Sequence, residues 1–464
     1  MERTGKKFGS GIFVAVFATF GMVSVSAQGP GRPLLQDIKV QSGPPIPAPT
    51  PLVKRTTSAE PVGAAAATSV RTSFSILRDI AIPGNSGVLI ESLDGQLVVE
   101  SNSDVPLNPA SNVKVATTYA VLKTFGPDYR FPTSVWTDGV YDEANQKLIG
   151  NLYISGRDPV FVLEHGVALS RELNRMGIRT IEGDLVVTDN FSMNYGSSAV
   201  VSSRTLLATM DAAKRSNAAS TAWSNYLIHS GNLTANTGIP SVTFTGAPYV
   251  QSLPTNAKGL FTHESAPMRE IIKAMMSYSN NELSHRLGDM VGGAFGVANI
   301  VRQNTGTTPQ EFHIQTTSGL GINRVTAGAM MKLLRELREE LTRFKMTYAD
   351  VMPVAGLDPG TLEGRFATDF ARGSVIGKTG TLGNTDGGVS ALAGEISTRN
   401  GKFLFVIFNQ RGSVNRFRTF QNYYVSVVQG QLGGAAPIQY TGSSLHARLA
   451  RSRISYPETR TRGN

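Results

Sequence analysis

Asn108-Pro109-Ala110-Ser111-Asn112-Val113-Lys114 is the only stretch of this chain in which a lysine follows a serine by three residues. The Asn-Pro-Ala lead, followed by Val113, Ala116, Ala120 and Val121, predicts a helix with one apolar side. Phe125-Gly126-Pro127 ends it with a glycine stop and a proline breaker. Ser111 and Lys114 then share one face, a turn apart, at the helix N-terminus. A serine hydroxyl is a poor nucleophile until a base takes its proton. A lysine can be that base if burial and a second cation lower its pKa.

Two more patterns lie downstream. Ser265-Ala266-Pro267 opens a helix carrying Ile271, Ile272, Met275 and Met276; Ser279-Asn280-Asn281 interrupts it, and helical spacing resumes from Glu282 to Met290. The sole Lys-Thr-Gly, Lys378-Thr379-Gly380, falls in the first of three strands predicted at 374–381, 388–396 and 402–409. Gly-containing turns join them, so they should pair antiparallel. Lys378 is the candidate second cation. The N–H groups of Ser111 and Thr381 would make an oxyanion hole, and Gly380 would keep the strand bare for a close approach. Taken singly, these signals are weak. Ser-x-Asn starts four times, at Ser192, Ser230, Ser279 and Ser413. Ser111 alone reads as a helix-terminal serine, Lys114 as a solvated charge, and Thr379 and Thr381 as ordinary strand residues. Order and context (helix start, helix break, strand) carry the functional reading.

The rest of the chain bounds that reading. With 464 residues and 41% hydrophobic content it is long and apolar enough for a large core or several smaller ones. Without cysteine there are no disulfides, thiolate metal sites or lipid-anchored cysteine. The six histidines show no metal-ligand spacing, so no metal or cofactor is expected. Gly373-Ser374-Val375-Ile376-Gly377-Lys378-Thr379 imitates a phosphate loop but is one residue short between its glycines.

Arg3, Lys6 and Lys7, the apolar run from Ile12 to Val23 and Val25-Ser26-Ala27 form a signal-peptide pattern over residues 1–27, cleaved after Ala27. Residues 28–72 read as a Pro-rich disordered linker. A hairpin follows, 87–92 and 97–100. Strands at 151–155 and 184–188 flank a helix at 168–176, and residues 130–262 read as an inserted domain in which 190–220 defies assignment. The catalytic domain is then 73–129 plus 263–432, and 433–464 reads as a basic, disordered tail. The net charge of +10 fits attraction to a membrane surface or an anionic wall polymer, or a solvated tail with no partner. An exported protein meets little nucleic acid, and none is expected as a partner. The predicted fold class is α+β, an antiparallel sheet built from both ends of the chain and covered by helices, split by the insertion.

The chain resembles the D-alanyl-D-alanine carboxypeptidase/endopeptidase family, the low-molecular-mass class C penicillin-binding proteins. Besides the three motifs, the resemblance rests on Gly126-Pro127-Asp128-Tyr129-Arg130-Phe131, Gly150-Asn151-Leu152-Tyr153-Ile154, Ile181-Glu182-Gly183-Asp184-Leu185 and Met352-Pro353-Val354-Ala355-Gly356-Leu357 with Gly360-Thr361-Leu362. It implies a serine β-lactamase/DD-peptidase-like fold and an acyl-serine reaction on the D-Ala-D-Ala end of peptidoglycan stem peptides, with β-lactams as inhibitors. By that resemblance Ser111 attacks, Lys114 takes its proton and Ser279 passes a proton to the leaving amine. Asn281 holds the substrate's peptide group, and Lys378, Thr379 and Thr381 hold its terminal carboxylate. The chain departs from the family at Asn280, where aspartate is usual, at Ser155-Gly156-Arg157-Asp158-Pro159 for Gly-x-Gly-Asp-Pro, and at Thr316-Thr317-Ser318-Gly319-Leu320-Gly321 for Asp-Gly-Ser-Gly-Leu-Ser. A serine β-lactamase and a non-catalytic wall-binding relative are the alternatives. The first would need a glutamate-activated water, the second no nucleophile.

Overall fold

Strands from the two ends of the chain meet in one antiparallel sheet. In the computed structural model, which describes residues 70–196, 198–231 and 238–457, its order is Arg71–Thr72, Leu97–Ser101, Asn85–Ser92, Gly401–Gln410, Val389–Thr398, Val375–Leu382. The seam between the ends is Asn85–Ser92 against Gly401–Gln410, with Ile90 opposite Phe405. Side-chain alternation sends Leu404, Val406 and Phe408 into one apolar layer and Phe403, Phe405 and Ile407 into another. Helices cover both faces, which is why Val389–Thr398 is buried along its whole length. The α+β expectation holds. The predicted signal peptide and all but the last residues of the predicted linker lie outside the described residues; the sheet takes its first strand at Arg71–Thr72, inside the predicted linker.

The described residues form one compact unit. The segment read as an insertion is a lobe of it with a separate apolar core around Leu152, Ile154, Leu169, Leu173, Leu185 and Val187. That core lies between two sheets. Lys147–Ile149 leads into Leu152–Gly156, Thr180–Glu182 into Leu185–Val187, and Thr243–Phe244 into Pro248–Val250. Each pair begins in a four-stranded sheet and crosses into a six-stranded one. The unassigned stretch holds two helices, Ala199–Met210 and Asn217–Ser230, each capped by a serine (Ser198, Ser216) whose oxygen accepts a backbone N–H. Their caps were readable; their weakly patterned Ala/Ser/Thr faces were not.

The tail corrects the expectation of disorder over 433–464. Leu445–Leu449 is helical, and Arg453–Ser455 adds a strand to Lys258–Glu264. Arg448 and Arg451 both pair with buried Glu270, at 2.8 and 2.6 Å, and Arg453 pairs with Glu264 at 2.7 Å. Sequence composition showed the arginines but not the carboxylates waiting nearly two hundred residues upstream. Tyr440 donates to Asp358 at 2.8 Å, and the other oxygen of Asp358 takes 2.6 Å and 2.8 Å bonds from Lys273 Nζ and the Val354 N–H. Lys273 and Asp358 are fully buried. Burial outweighs the carboxylate and brings the Lys273 pKa down to about 8. This node anchors the helix Met268–Tyr278, whose end presents Ser279.

Asp358→Ala strands that lysine and should lower the free energy of urea unfolding by about 3–5 kcal/mol. The double change Lys273→Met with Asp358→Leu should cost much less. Equal costs for both would contradict a stabilising pair.

Candidate active site

The helix Val113–Phe125 follows a tight turn, Ala110–Asn112, that carries Ser111. The predicted one-sided helix is instead buried on every face from Val113 to Leu122. It runs through the middle of the core against the helices Met268–Tyr278, Asn281–Asp289, Gly293–Thr305 and Ala327–Arg343. That placement buries Lys114 completely. On the same helix Thr117 Oγ1 donates to the Thr317 carbonyl at 2.7 Å. Ala110, just before the nucleophile, has φ +46°, a left-handed conformation that costs a non-glycine residue about 1–3 kcal/mol. Ser279 is also left-handed, φ +54°, at the end of its helix.

Lys114 Nζ lies 3.1 Å from Ser111 Oγ, 2.7 Å from Asn281 Oδ1 and 2.7 Å from the Ser318 carbonyl oxygen. Burial pushes its pKa down to about 7, so the neutral amine is well populated near neutral pH. A neutral amine has two N–H bonds and one lone pair. Asn281 Oδ1 and the Ser318 carbonyl only accept, so they take both N–H bonds, and the lone pair is left for the Ser111 hydroxyl. Burial is what lowers Lys114; burial first, then repulsion by Lys114, holds Lys378 well below an ordinary lysine.

Lys378 lies beneath the groove floor rather than in it. It is fully buried, and its Nζ bonds Ser279 Oγ at 2.9 Å and the Thr379 carbonyl at 2.7 Å. Ser111, Ser279, Asn281, Thr379 and Thr381 line one groove of about 770 Å³. Gly380 does not. A Cβ there would stand 2.6 Å from the Pro109 carbonyl and 3.0 Å from Ala110 Cβ. Its bareness serves the fit of strand against nucleophile turn, not the approach of a substrate.

Val375–Leu382 is the sheet's edge strand, with unbroken register to Val389–Thr398. On its free side the Val375 carbonyl takes the Ala355 N–H and the Gly377 N–H bonds the Pro353 carbonyl. Backbone polarity alternates along an antiparallel strand, so Thr379 and Thr381 also point their N–H and carbonyl groups outward. The Thr381 N–H therefore faces the groove. Asn280, where the motif departs from aspartate, points away from the groove and caps the helix Asn281–Asp289 by accepting the Leu283 N–H at 2.9 Å, a role either residue fills.

Sequence reasoning missed the opposite wall: Thr361, Arg365, Asn415, Arg418, Thr419 and Asn422. The last four come from the closing helix Val414–Gln431. It also missed Ser318, although its loop had been matched as Thr316–Gly321. A smaller cavity of about 380 Å³ lies across Asn281–Asp289, bordered by Asp158, Ser192 and Arg286, and holds no lysine. His165 and His263 are buried against each other in the lobe core, rings 4.7 Å apart. Among the described residues no cluster of three metal-ligating side chains occurs.

A buried lysine beside a serine, a facing Ser-x-Asn turn and the edge strand together have the geometry of a serine acyl-transfer centre on a DD-peptidase fold. The model of the D-Ala-D-Ala carboxypeptidase 3 (S13) family matches residues 74–199 and 230–423, and the chain belongs to that family. It is a serine-type peptidase of that class. The D-alanyl-D-alanine carboxypeptidase of Actinomadura sp. is 25% identical over 434 aligned residues, 72% of this chain and 79% of that protein. A predatory endopeptidase from Bdellovibrio bacteriovorus matches with TM-score 0.66 at 25% identity, over 77% of this chain and 96% of that one. The penicillin G-acylated form of that endopeptidase, in complex with an immunity protein, matches with TM-score 0.67 at 24% identity, over 77% and 95%.

Gly380→Ala should loosen the contact of strand and turn. The expected result is a stability loss of about 1–3 kcal/mol with slower acylation by penicillin; wild-type values for both would mean the two backbones are not locked together. The base also predicts a pH profile. Lys114 works only when unprotonated, so the acylation rate should rise about tenfold per pH unit below about 7 and level off above it. A flat profile between pH 5 and 9 would remove Lys114 from the role.

Proposed function

We propose that Ser111 attacks the carbonyl between the two terminal D-alanines of a peptidoglycan stem peptide, forming an acyl-serine and releasing D-alanine. The observation that carries this reading is the lone pair of Lys114. Both of its N–H bonds are engaged by acceptors, and the third contact is the Ser111 hydroxyl. The proton of Ser111 passes to Lys114 as the bond to carbon forms. Charge on the carbonyl oxygen is met by the N–H groups of Ser111 and Thr381, donors fixed before the reaction begins. Asn281, with its Oδ1 committed to Lys114, offers Nδ2 to a substrate carbonyl. Ser279, hydrogen-bonded to Lys378, delivers the proton to the departing amine. Water then hydrolyses the ester. When the departing amine belongs to a neighbouring stem peptide, the same steps cut a cross-link.

A β-lactam mimics the acyl donor and acylates the same serine. No carboxylate among the described residues lines the groove. That favours a slowly released penicilloyl ester over the glutamate-driven turnover of a class A β-lactamase. The substrate lies outside the cytoplasmic membrane, in keeping with the export pattern of residues 1–27, and cleavage after Ala27 belongs to the same proposal. Among the described residues no helix is long and apolar enough to cross a membrane. Three of the tail's arginines are engaged with Glu264 and Glu270, which weakens the case for a membrane or wall polymer as their partner.

Mass spectrometry of penicillin-treated protein should find one added penicilloyl group, mapped to Ser111 and absent in Ser111→Ala. A label on another serine, or hydrolysis of penicillin faster than of a D-Ala-D-Ala peptide, would overturn the assignment.

A further inference from the structure

We propose that Arg418, and not Lys378, is the cation that reads the carboxylate on the substrate's leaving group. This deepens the reading of Ser111 as an acyl-transfer nucleophile and rests on it. The Lys-Thr-Gly lysine cannot meet an anion in the groove: it is fully buried, and its Nζ is occupied by Ser279 Oγ and the Thr379 carbonyl.

The groove wall supplies what Lys378 lacks. Arg418 is exposed on the closing helix and lines the groove, and its Nη2 donates to Thr381 Oγ1 at 2.9 Å. Among the described residues it forms no ion pair, and no acidic side chain borders the groove. Arg365, the other guanidinium of this wall, is tied to neutral groups, Asn422 Oδ1 at 2.8 Å and Gln421 Oε1 at 3.1 Å. Burial and the charge of Arg418 bring its pKa down to about 10. Two uncompensated cations side by side are held at a cost in repulsion that an arriving anion relieves.

The position also fits. Thr381 accepts from Arg418, so its own O–H proton is free to turn into the groove. Threonine hydroxyl and guanidinium together then make a two-point clamp for a carboxylate. Thr381 also contributes the oxyanion N–H. An anion held at its side chain sits one residue along the substrate from the scissile carbonyl, where the carbon bearing the leaving nitrogen carries its carboxylate. Ligands with a free carboxylate at that carbon are favoured over neutral ones.

The test compares acylation of the full chain by benzylpenicillin, which carries the equivalent carboxylate, with acylation by its methyl ester. Arg418→Ala should slow the acid by about 10- to 100-fold and leave the ester rate nearly unchanged, and Arg418→Lys should restore part of the loss. The retained ester rate reports that the fold and Ser111 are intact. An undiminished preference for the acid in Arg418→Ala, or equal loss on both compounds, overturns the assignment. Should neither compound acylate the unaltered protein, the Ser111 reading fails by itself. The equilibrium preference of Ser111→Ala for a D-Ala-D-Ala peptide over its C-terminal amide, kept or lost with Arg418→Ala, then decides the Arg418 claim.

Discussion

A single amine holds this molecule's chemistry together. Lys114 Nζ joins three segments that are far apart in the chain: the nucleophile turn, the start of the helix Asn281–Asp289 and the loop at Ser318. Because its contacts are buried, each must be satisfied, and each then dictates the others. Asn281 turns its oxygen inward and thereby its amide outward. The Ser318 carbonyl takes the remaining N–H, and Ser111 is left facing a lone pair. The same burial that makes these bonds obligatory brings the amine's pKa to about 7. Placement and activation have one cause.

The scaffold exists to keep that cause in force. The helix bearing Lys114 is surrounded by four others, and its turn is pressed against the edge strand so closely that Gly380 admits no side chain. Gly319 does the same from the opposite side, where a Cβ would fall 1.9 Å from the Ala110 carbonyl. The left-handed Ala110 is tolerated because both neighbours hold it. Behind Ser279, Lys273 and Asp358 tie its helix to the returning tail. The two motif lysines divide the labour. One contacts the Ser111 hydroxyl; the other supports Ser279 from below, and the groove's charge comes from arginines on a wall no motif announces.

Much of this was legible. The strands near 374–381, 388–396 and 402–409 lie within a residue or two of those predicted, because long apolar runs between glycine turns have few other solutions. The helix start at Ser265-Ala266-Pro267 was marked by its proline. The failures share a reason. The tail was taken for solvated chain because its arginines have no acidic neighbour in sequence, and the Ala/Ser/Thr helices at 199–210 and 217–230 have little periodicity to find.

The sequence by itself singled out the candidate residues, Ser111, Lys114, Ser279, Asn281 and the Lys378 strand, in an order and local context that left few chemistries open. Local residue types and spacings set helix starts, turns and strand alternation, and those place a serine and a lysine on one face without reference to the rest of the chain. Only the tertiary structure decided how polar or dry each atom's surroundings are. The Lys114 pKa falls to about 7 because four helices enclose it, Lys378 leaves the groove because Ser279 sits over it, and Arg418 enters because the closing helix lies along the strand's free edge. Desolvation and charge are sums over everything nearby in space, and neighbours drawn from three hundred residues of chain cannot be added up along a line.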